Sequence, residues 1–249
     1  MRKKLLVLML ALCFNVEFGV CQIKEVKKGD YLAHKASKSI VIDGKGDDKD
    51  WSSADWKAID NAWIGESPSK EDFQGKFKML WDENYVYYLV SITDDSLSDQ
   101  HKSPFEMWWE DDCLELFIDE DNSDGNHQYN HTAFAYHITL DYDVVDMSTE
   151  QKPILFNNHI SAKWIKTSSN TYTWEVAMKV FDRSFDEKSK INKPVKLITG
   201  KKMGFAVSYN DNDGTFVRQN FMGSVPVEGA DKNKGWIDAG IFGTVELVK

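Results

Sequence analysis

The chain of 249 residues is poor in cysteine and proline, with three and five respectively. Cys13 and Cys21 fall in the N-terminal segment described below, which leaves Cys113 alone. One thiol excludes an intrachain disulfide framework, so the fold must rest on its core. Cys113, between Asp112 and Leu114 at the start of a strand pattern, reads as a small buried hydrophobe. Positive charge is also scarce. Thirty Lys and Arg against 40 Asp and Glu give a net charge of −10. Such an acidic balance argues against nucleic acid and anionic membrane surfaces as partners, and suits a soluble protein with a neutral one. No Pro/Gly/Ser-rich linker, low-complexity run or internal repeat divides the sequence, and no long stripe of period 3.6 marks a helix. Missing as well are an HExxH, a CxxC, a Ser/His/Asp order and a phosphate loop; His127, His131 and His137 alternate with polar residues outside any zinc-ligand context.

The chain opens with Arg2-Lys3-Lys4, an apolar run from Leu5 to Phe14, and Gly19-Val20-Cys21 before Gln22. A basic region, a short apolar core and small residues at −3 and −1 read as a secretory signal cleaved after Cys21. The run is too short for a stable bilayer anchor, so no membrane insertion is expected. Export to the periplasm or beyond ranks above lipid anchoring at Cys21, because Phe18-Gly19-Val20 matches the usual small-residue box poorly. Loss of this segment removes a net +2 and takes the charge to −12. The remaining chain suffices for one large all-β domain or two small ones, and no linker divides it. The reading is therefore a signal peptide over 1–21, a polar lead-in over 22–38 and a single domain over 39–249.

What is present alternates with period two. In Tyr85 to Thr93, Val86, Tyr88, Val90 and Ile92 share one face while Tyr85, Tyr87, Leu89 and Ser91 share the other. Both faces are largely apolar, as in a central strand. Phe77 to Trp81 reads as its hairpin partner through Asp82-Glu83-Asn84. Further strands are expected over Ile40–Ile42, Leu114–Asp119, His131–Leu140, Ile160–Ile165, Tyr172–Met178, Gly204–Tyr209 and Val245–Val248. Ser148 to Phe156 is ambiguous, and Phe181 to Ser189 has room for one helical turn. The count predicts an antiparallel β-sandwich of the jelly-roll kind.

The most informative stretch is Trp108-Trp109-Glu110-Asp111-Asp112-Cys113-Leu114-Glu115-Leu116-Phe117-Ile118-Asp119. Indole faces beside acidic acceptors suit a sugar ring, which presents C–H groups on its faces and hydroxyls round its edge. Two indoles bury both faces at low entropic cost, since tryptophan has only two side-chain torsions. Each stacking face contributes about 1 kcal/mol and each charge-assisted hydrogen bond roughly 1–3 before desolvation. Core packing is the usual fate of a sandwich tryptophan. Trp81, Trp164 and Trp174 lie in strand patterns and are assigned to it; Trp51 and Trp56 pin the Asp-rich opening. Of Trp108 and Trp109 only one is expected to face a ligand, the other being buried, and Asp111 reads as a solvated loop charge. By alternation alone, Glu115 is as well explained as a solvent-facing strand position.

Several motifs, in order, resemble the family 9 carbohydrate-binding modules. They are Ile42-Asp43-Gly44 with Asp47-Asp48 and Trp51; Leu80-Trp81-Asp82-Glu83-Asn84-Tyr85-Val86-Tyr87 with Asp94-Asp95; and the Trp109-to-Asp119 run. Gly204-Phe205 with Asn210-Asp211 follows, then Gly235-Trp236 with Phe242-Gly243. The resemblance covers roughly Ile40 to Lys249. It implies a non-catalytic domain in which two tryptophans sandwich a terminal sugar unit, often of a β-glucan or xylan, for polysaccharide capture or utilisation. The matching positions are Trp109 and Trp236 for the walls, with Glu115 and Asn233 as hydrogen-bonding partners. Ser208 stands where a glutamine is expected, and Ala135 (or Tyr136) where an arginine donor is expected; both departures imply a weaker reducing-end grip. Association with glycoside hydrolases is a further implication, since such modules often accompany them.

Three other chemistries compete. Glu110, Asp112, Glu115 and Asp119 have the residue types of a glycosidase pair, whose carboxylates work about 5–10 Å apart, although carboxylates are common in a chain this acidic. No cofactor is required by the binding reading. Structural calcium, carried by some family members, has a candidate in Asp119-Glu120-Asp121-Asn122-Ser123-Asp124-Gly125-Asn126, but glycine falls one position late for an EF-hand, and Asn210-Asp211-Asn212-Asp213-Gly214 is only a fragment. Haem is the third, with Met79, Met107, Met147 and the histidines as available ligands; no spacing pairs them.

Overall fold

The computed structural model describes residues 29–249; the segment read as a secretory signal and its expected cleavage point lie outside these residues. Fourteen strands run through the chain: β1 (Tyr31–Lys35), β2 (Lys57–Ile59), β3 (Asn61–Ile64), β4 (Phe73–Trp81), β5 (Val86–Asp94), β6 (Cys113–Asp119) and β7 (Phe134–Thr139). They continue with β8 (Val144–Met147), β9 (Pro153–Leu155), β10 (Ile160–Lys166), β11 (Thr171–Met178), β12 (Lys202–Asp211), β13 (Asn220–Gly223) and β14 (Gly243–Val248). One hydrogen-bonded path links β10-β11-β5-β4-β1-β14-β12-β6-β7-β8-β9, with β13 on β12, β3 on β13, and β2 on β4. The path folds over on itself. Phe73 of β4 stacks on Tyr209 of β12 at 5.7 Å, and Phe77 of β4 meets Phe205 of β12 edge-on at 6.0 Å. The expected all-β sandwich is therefore present, as one continuous sheet with its two halves packed face to face.

β1 joins the halves. It lies parallel to β14, with Tyr31 opposite Val245, and parallel to β4, with His34 opposite Leu80. Tyr31 and Ala33 are buried, and Tyr31 packs on both Phe77 and Phe205. The polar stretch expected as a lead-in thus contains a central strand. Its one-sided alternation, Tyr31 and Ala33 inward against Leu32 outward, is too short to stand out among the lysines around it. The expected strand at Ile40–Ile42 does not form. That segment instead wraps onto the outer face of β11, where Gly44 and Asp43 amides donate to Glu175 at 2.8 and 3.2 Å and the Trp51 indole donates at 3.1 Å. Trp51 is buried as expected, whereas Trp56 is exposed beneath Lys76 and Lys78. Phe181 to Ser189 holds turns without a helix, and the ambiguous stretch resolves into the short β8–β9 hairpin.

Alternation divides the β12-β6-β7 layer between two tasks. Leu114, Leu116 and Ile118, with Phe134, Tyr136 and Ile138 and with Phe205, Val207 and Tyr209, face the main core. Glu115 and Phe117 face the other way, where Phe117 joins Trp63, Ala135, Ala206 and Phe221 in a smaller cluster. Loops cover that second face, so every residue of β6 is buried, including its charged ones. Cys113 is fully buried there, as expected, and its sulfur accepts from the Asn210 amide at 3.0 Å.

A chain beginning at residue 39 is expected to unfold without a cooperative transition, because it removes the strand that joins β4 to β14 and takes Tyr31 from the core. The loss should exceed the about 3–5 kcal/mol of deleting one buried aromatic. Thermal melting followed by circular dichroism is the check, and a wild-type transition in the shortened chain would contradict the role of β1.

Candidate functional site

On the second face of the β12-β6-β7 layer lies a cavity of about 550 Å³. Its lining includes Trp108, Trp109, Glu115, Asn233 and Trp236, together with Arg218, His137, Asp146 and Tyr129. Four residues named from sequence, Trp109, Trp236, Glu115 and Asn233, are thus brought to one place across 128 residues of chain.

The floor is set by strand register. Ser208 of β12, Glu115 of β6 and His137 of β7 form one cross-strand row. Glu115 is buried rather than solvent-facing. Its Oε1 accepts from Asn210 Nδ2 at 2.5 Å and lies 2.9 Å from His137 Nε2 as an ion-pair contact, and Arg218 Nη1 stands 3.8 Å away. No described protein donor reaches Oε2. One oxygen is therefore fully engaged and the other is open to a ligand hydroxyl. A buried carboxylate is tolerated only when paired in this way.

Ser208 does not line the cavity. It is fully buried between Glu115 of β6 and Gly223 of β13, with its hydroxyl lacking a partner. Ala135 pairs with Phe117, one row away from Glu115. The guanidinium expected near that strand comes instead from Arg218, in the connection between β12 and β13. Arg218 Nη1 donates to Asn210 Oδ1 at 2.5 Å, and its guanidinium lies over Phe221 at 4.5 Å. Sequence reading missed this residue. Its one local signal is position: a rare arginine just after the Asn210-to-Gly214 turn.

The walls are carried by two loops. Trp109 donates its indole N–H to Glu110 at 2.7 Å, and the other Glu110 oxygen accepts from the Arg218 amide at 2.9 Å. Trp108 and Trp109 meet edge-on at 4.6 Å. Trp108 is buried, as one of the pair should be, yet it also borders the cavity, so both indoles contribute. On the opposite loop, Gly235 lets the Trp236 segment lie against β6: a Cβ there would stand 2.7 Å from Phe117 Cε1. The Asn233 side chain makes no hydrogen bond to the described residues and borders the cavity.

Among the acids weighed for catalysis, only Glu115 lines the cavity; Glu110 is held by Trp109 and Arg218, and Asp119 lies at the far end of β6. The second carboxyl present is Asp146, whose oxygens accept from the amides of Ala135 at 2.9 Å and Met147 at 2.7 Å. Burial pushes Asp146 up to about 7, opposed by those two amides and by His137 and reinforced by Glu115.

Asp111 is not a solvated charge. It is buried and accepts from the amides of Gln100 and His101 at 2.9 and 2.8 Å. Behind it, Asp94, Asp112 and Asp211 place carboxylate oxygens within 4.8 Å of one another, all three buried, and Asp72, Asp95 and Asp213 form a second, more exposed group. Asp211 Oδ1 is buried without a hydrogen-bond partner. Burial, followed by the Asp94 charge, pushes Asp112 up to about 10. An oxygen-only donor set with an orphaned, buried oxygen fits a hard divalent cation. The Asp119-to-Asn126 loop brings no three carboxylates together among the described residues, although Asp119 Oδ1 is likewise buried without a partner; Asp119 Oδ2 accepts from the Asp124 amide and Asp121 pairs with Arg183.

An open β-sandwich with an aromatic-walled, polar-floored cavity on one face has the architecture of a small-ligand binding domain. Residues 42–249 match the family described as carbohydrate family 9 binding domain-like, and the chain belongs to that family. It is 25% identical over 211 residues to endo-1,4-beta-xylanase A of Thermotoga maritima, covering 84% of this chain and 17% of the xylanase. With endo-1,4-beta-xylanase A of Thermoanaerobacterium saccharolyticum it shares 34% identity over 116 residues, 47% of this chain and 9% of that protein. The chain thus spans less than a fifth of these relatives. Its fold is similar to that of a family 9 carbohydrate-binding module from Caldicellulosiruptor kristjanssonii in complex with cellotriose, with a TM-score of 0.64 at 20% identity, over 88% of this chain and 93% of that one. No helix among the described residues is long and apolar enough to cross a membrane.

The Asp146 carboxyl supplies a test of the cavity's electrostatics. Its pKa when folded lies above that of the unfolded chain, about 4, so the folded protein binds this proton more tightly. Its contribution favours the fold fully below pH 4 and is lost as pH rises to about 7. Asp146→Asn should remove that part of the fall in stability between pH 4 and 7. Denaturant titrations at a series of pH values measure it, and identical pH slopes for the two proteins would refute the assignment.

Proposed function

We propose that this chain is a non-catalytic, exported carbohydrate-binding domain that holds a sugar unit, at the end of a plant-type β-glucan or xylan, between Trp109 and Trp236. The observation that carries the reading is the convergence of both indoles, Glu115 and Asn233 on one cavity. Two aromatic faces with one free carboxylate oxygen between them match a pyranose: C–H faces against rings, hydroxyls against Glu115 Oε2, Arg218 and the Asn233 amide. The fold neighbour's cellotriose and the xylanase relatives favour a β-1,4-linked chain as ligand. The same relatives support capture of polysaccharide beside glycoside hydrolases as the biological setting. Binding of one sugar should be modest, since water competes for each hydroxyl.

Trp109→Ala and Trp236→Ala should each weaken retention on cellulose or xylan at least tenfold, the equivalent of about 1.4 kcal/mol, while leaving the melting temperature within a few degrees. Affinity electrophoresis with soluble β-glucan and xylan is the measurement. Wild-type retention by both variants would sink the site. Glycan hydrolysis by the pure protein that disappears in Glu115→Gln would move it to the enzymes.

The reading includes structural calcium, held by Asp94, Asp112 and Asp211 rather than by the Asp119 loop. Three neighbouring carboxylates in a buried site are relieved by a divalent ion. Prolonged chelation followed by calcium return should lower and then restore the melting temperature, and Asp211→Asn should abolish that response. A melting curve indifferent to chelator and calcium would exclude the ion.

A further inference from the structure

Tyr129 is a residue the fold does not account for. Its backbone is left-handed, with φ at 58°, a strained conformation that bulky side chains avoid and that glycine or asparagine adopts more readily. The side chain gives nothing back to the interior. It is half-buried, its hydroxyl bonds to no described residue, and its recorded ring contact is an edge-on approach to Trp236 at 6.2 Å. Yet it lines the cavity.

Its loop is built into the wall. The His127 amide donates to Ile237 O at 2.9 Å, His127 Nε2 donates to Gly235 O at 2.8 Å, and the Ala239 amide donates to Gly125 O at 2.9 Å. Asn126 and Asp238 add a bridge. The loops that carry Tyr129 and Trp236 are therefore hydrogen-bonded to each other, with the phenol placed beside the indole. The other wall has a matching feature: Met107, just before Trp108, is also left-handed, at φ 51°. Strain retained at both walls of one cavity is expected when the side chains serve a ligand. The cavity, at about 550 Å³, has room for more than the one pyranose that the two indoles enclose.

We infer that Tyr129 determines specificity for chain length, extending the Trp236 wall and presenting its hydroxyl to the sugar unit next to the one held between Trp109 and Trp236. The inference rests on the saccharide reading above. A ring edge and a phenol hydroxyl are suited to a neutral, hydroxyl-rich unit, and the phenol can either donate or accept.

Isothermal titration of the full chain with glucose, cellobiose and cellotriose tests it, alongside Tyr129→Phe and Tyr129→Ala. The loss of affinity should grow with chain length, reaching about fivefold for Tyr129→Phe with cellotriose, one hydrogen bond's worth. For Tyr129→Ala it should reach about thirtyfold, a hydrogen bond and an aromatic contact together. Thermal melting of Tyr129→Gly, which relieves the left-handed strain, confirms that the loop still folds and should give a melting temperature above that of Tyr129→Ala. If the wild type binds and both variants match it at every length, this inference alone falls. A loss equal for glucose and cellotriose would make Tyr129 a support for Trp236 and overturn the subsite. A wild type that binds none of these sugars, nor the corresponding xylo-oligosaccharides, would remove the saccharide reading and this inference together.

Discussion

The carboxylate of Glu115, at the centre of a fully buried strand, is the constraint around which the site is arranged. A charge removed from water must be paired and hydrogen-bonded or it destabilises the fold. Three elements answer it: Asn210 from β12, His137 from β7 and Arg218 from the loop beyond β12. Because all their donors converge on Oε1, the second oxygen keeps its acceptor capacity. The same arrangement that makes the charge tolerable therefore leaves half of it available for recognition.

That economy depends on how the sheet is divided. Along β6, β7 and β12, alternate side chains build the main core while the others build the cavity floor. A one-residue slip in register would exchange the two sets, so the packing of Leu114, Leu116 and Ile118 fixes the direction in which Glu115 points. The walls come from loops, which suits a binding surface carried on a rigid scaffold. They are not loose: Glu110 ties Trp109 to the Arg218 loop, and Gly235 seats Trp236 against Phe117.

The acidic knot has a double identity. Within five residues, Trp109 serves the cavity, Glu110 braces it, Asp111 caps the loop at Gln100 and His101, and Asp112 turns toward Asp94 and Asp211. Asp112 also accepts from the Asn212 amide, and Asn212 donates to the Glu110 carbonyl. The carboxylate cluster and the Trp109 side of the cavity are thereby joined through short hydrogen-bonded steps. Charge that looks redundant in one dimension is distributed among separate tasks in three.

Period-two alternation in Tyr85 to Thr93 and in Leu114 to Asp119 determined the all-β class, because strand faces repeat every second residue whatever surrounds them. Trp109, Glu115, Asn233 and Trp236 came from the ordered family motifs; local pattern alone left Glu115 open to a solvent-facing reading. Tertiary structure decided the rest. Whether Glu115 meets water or protein depends on loops far from it in sequence, and Ser208 is buried between β6 and β13. Arg218 replaces a donor sought near Ala135 because a guanidinium can reach the same point from another strand connection. β1 was hidden among lysines, where five residues alternate too briefly to be noticed, and its value lies wholly in the two strands it joins. The oxygen density of the Asp119 loop was legible in sequence, whereas the grouping of Asp94, Asp112 and Asp211 was not, because only the fold brings those three carboxylates together.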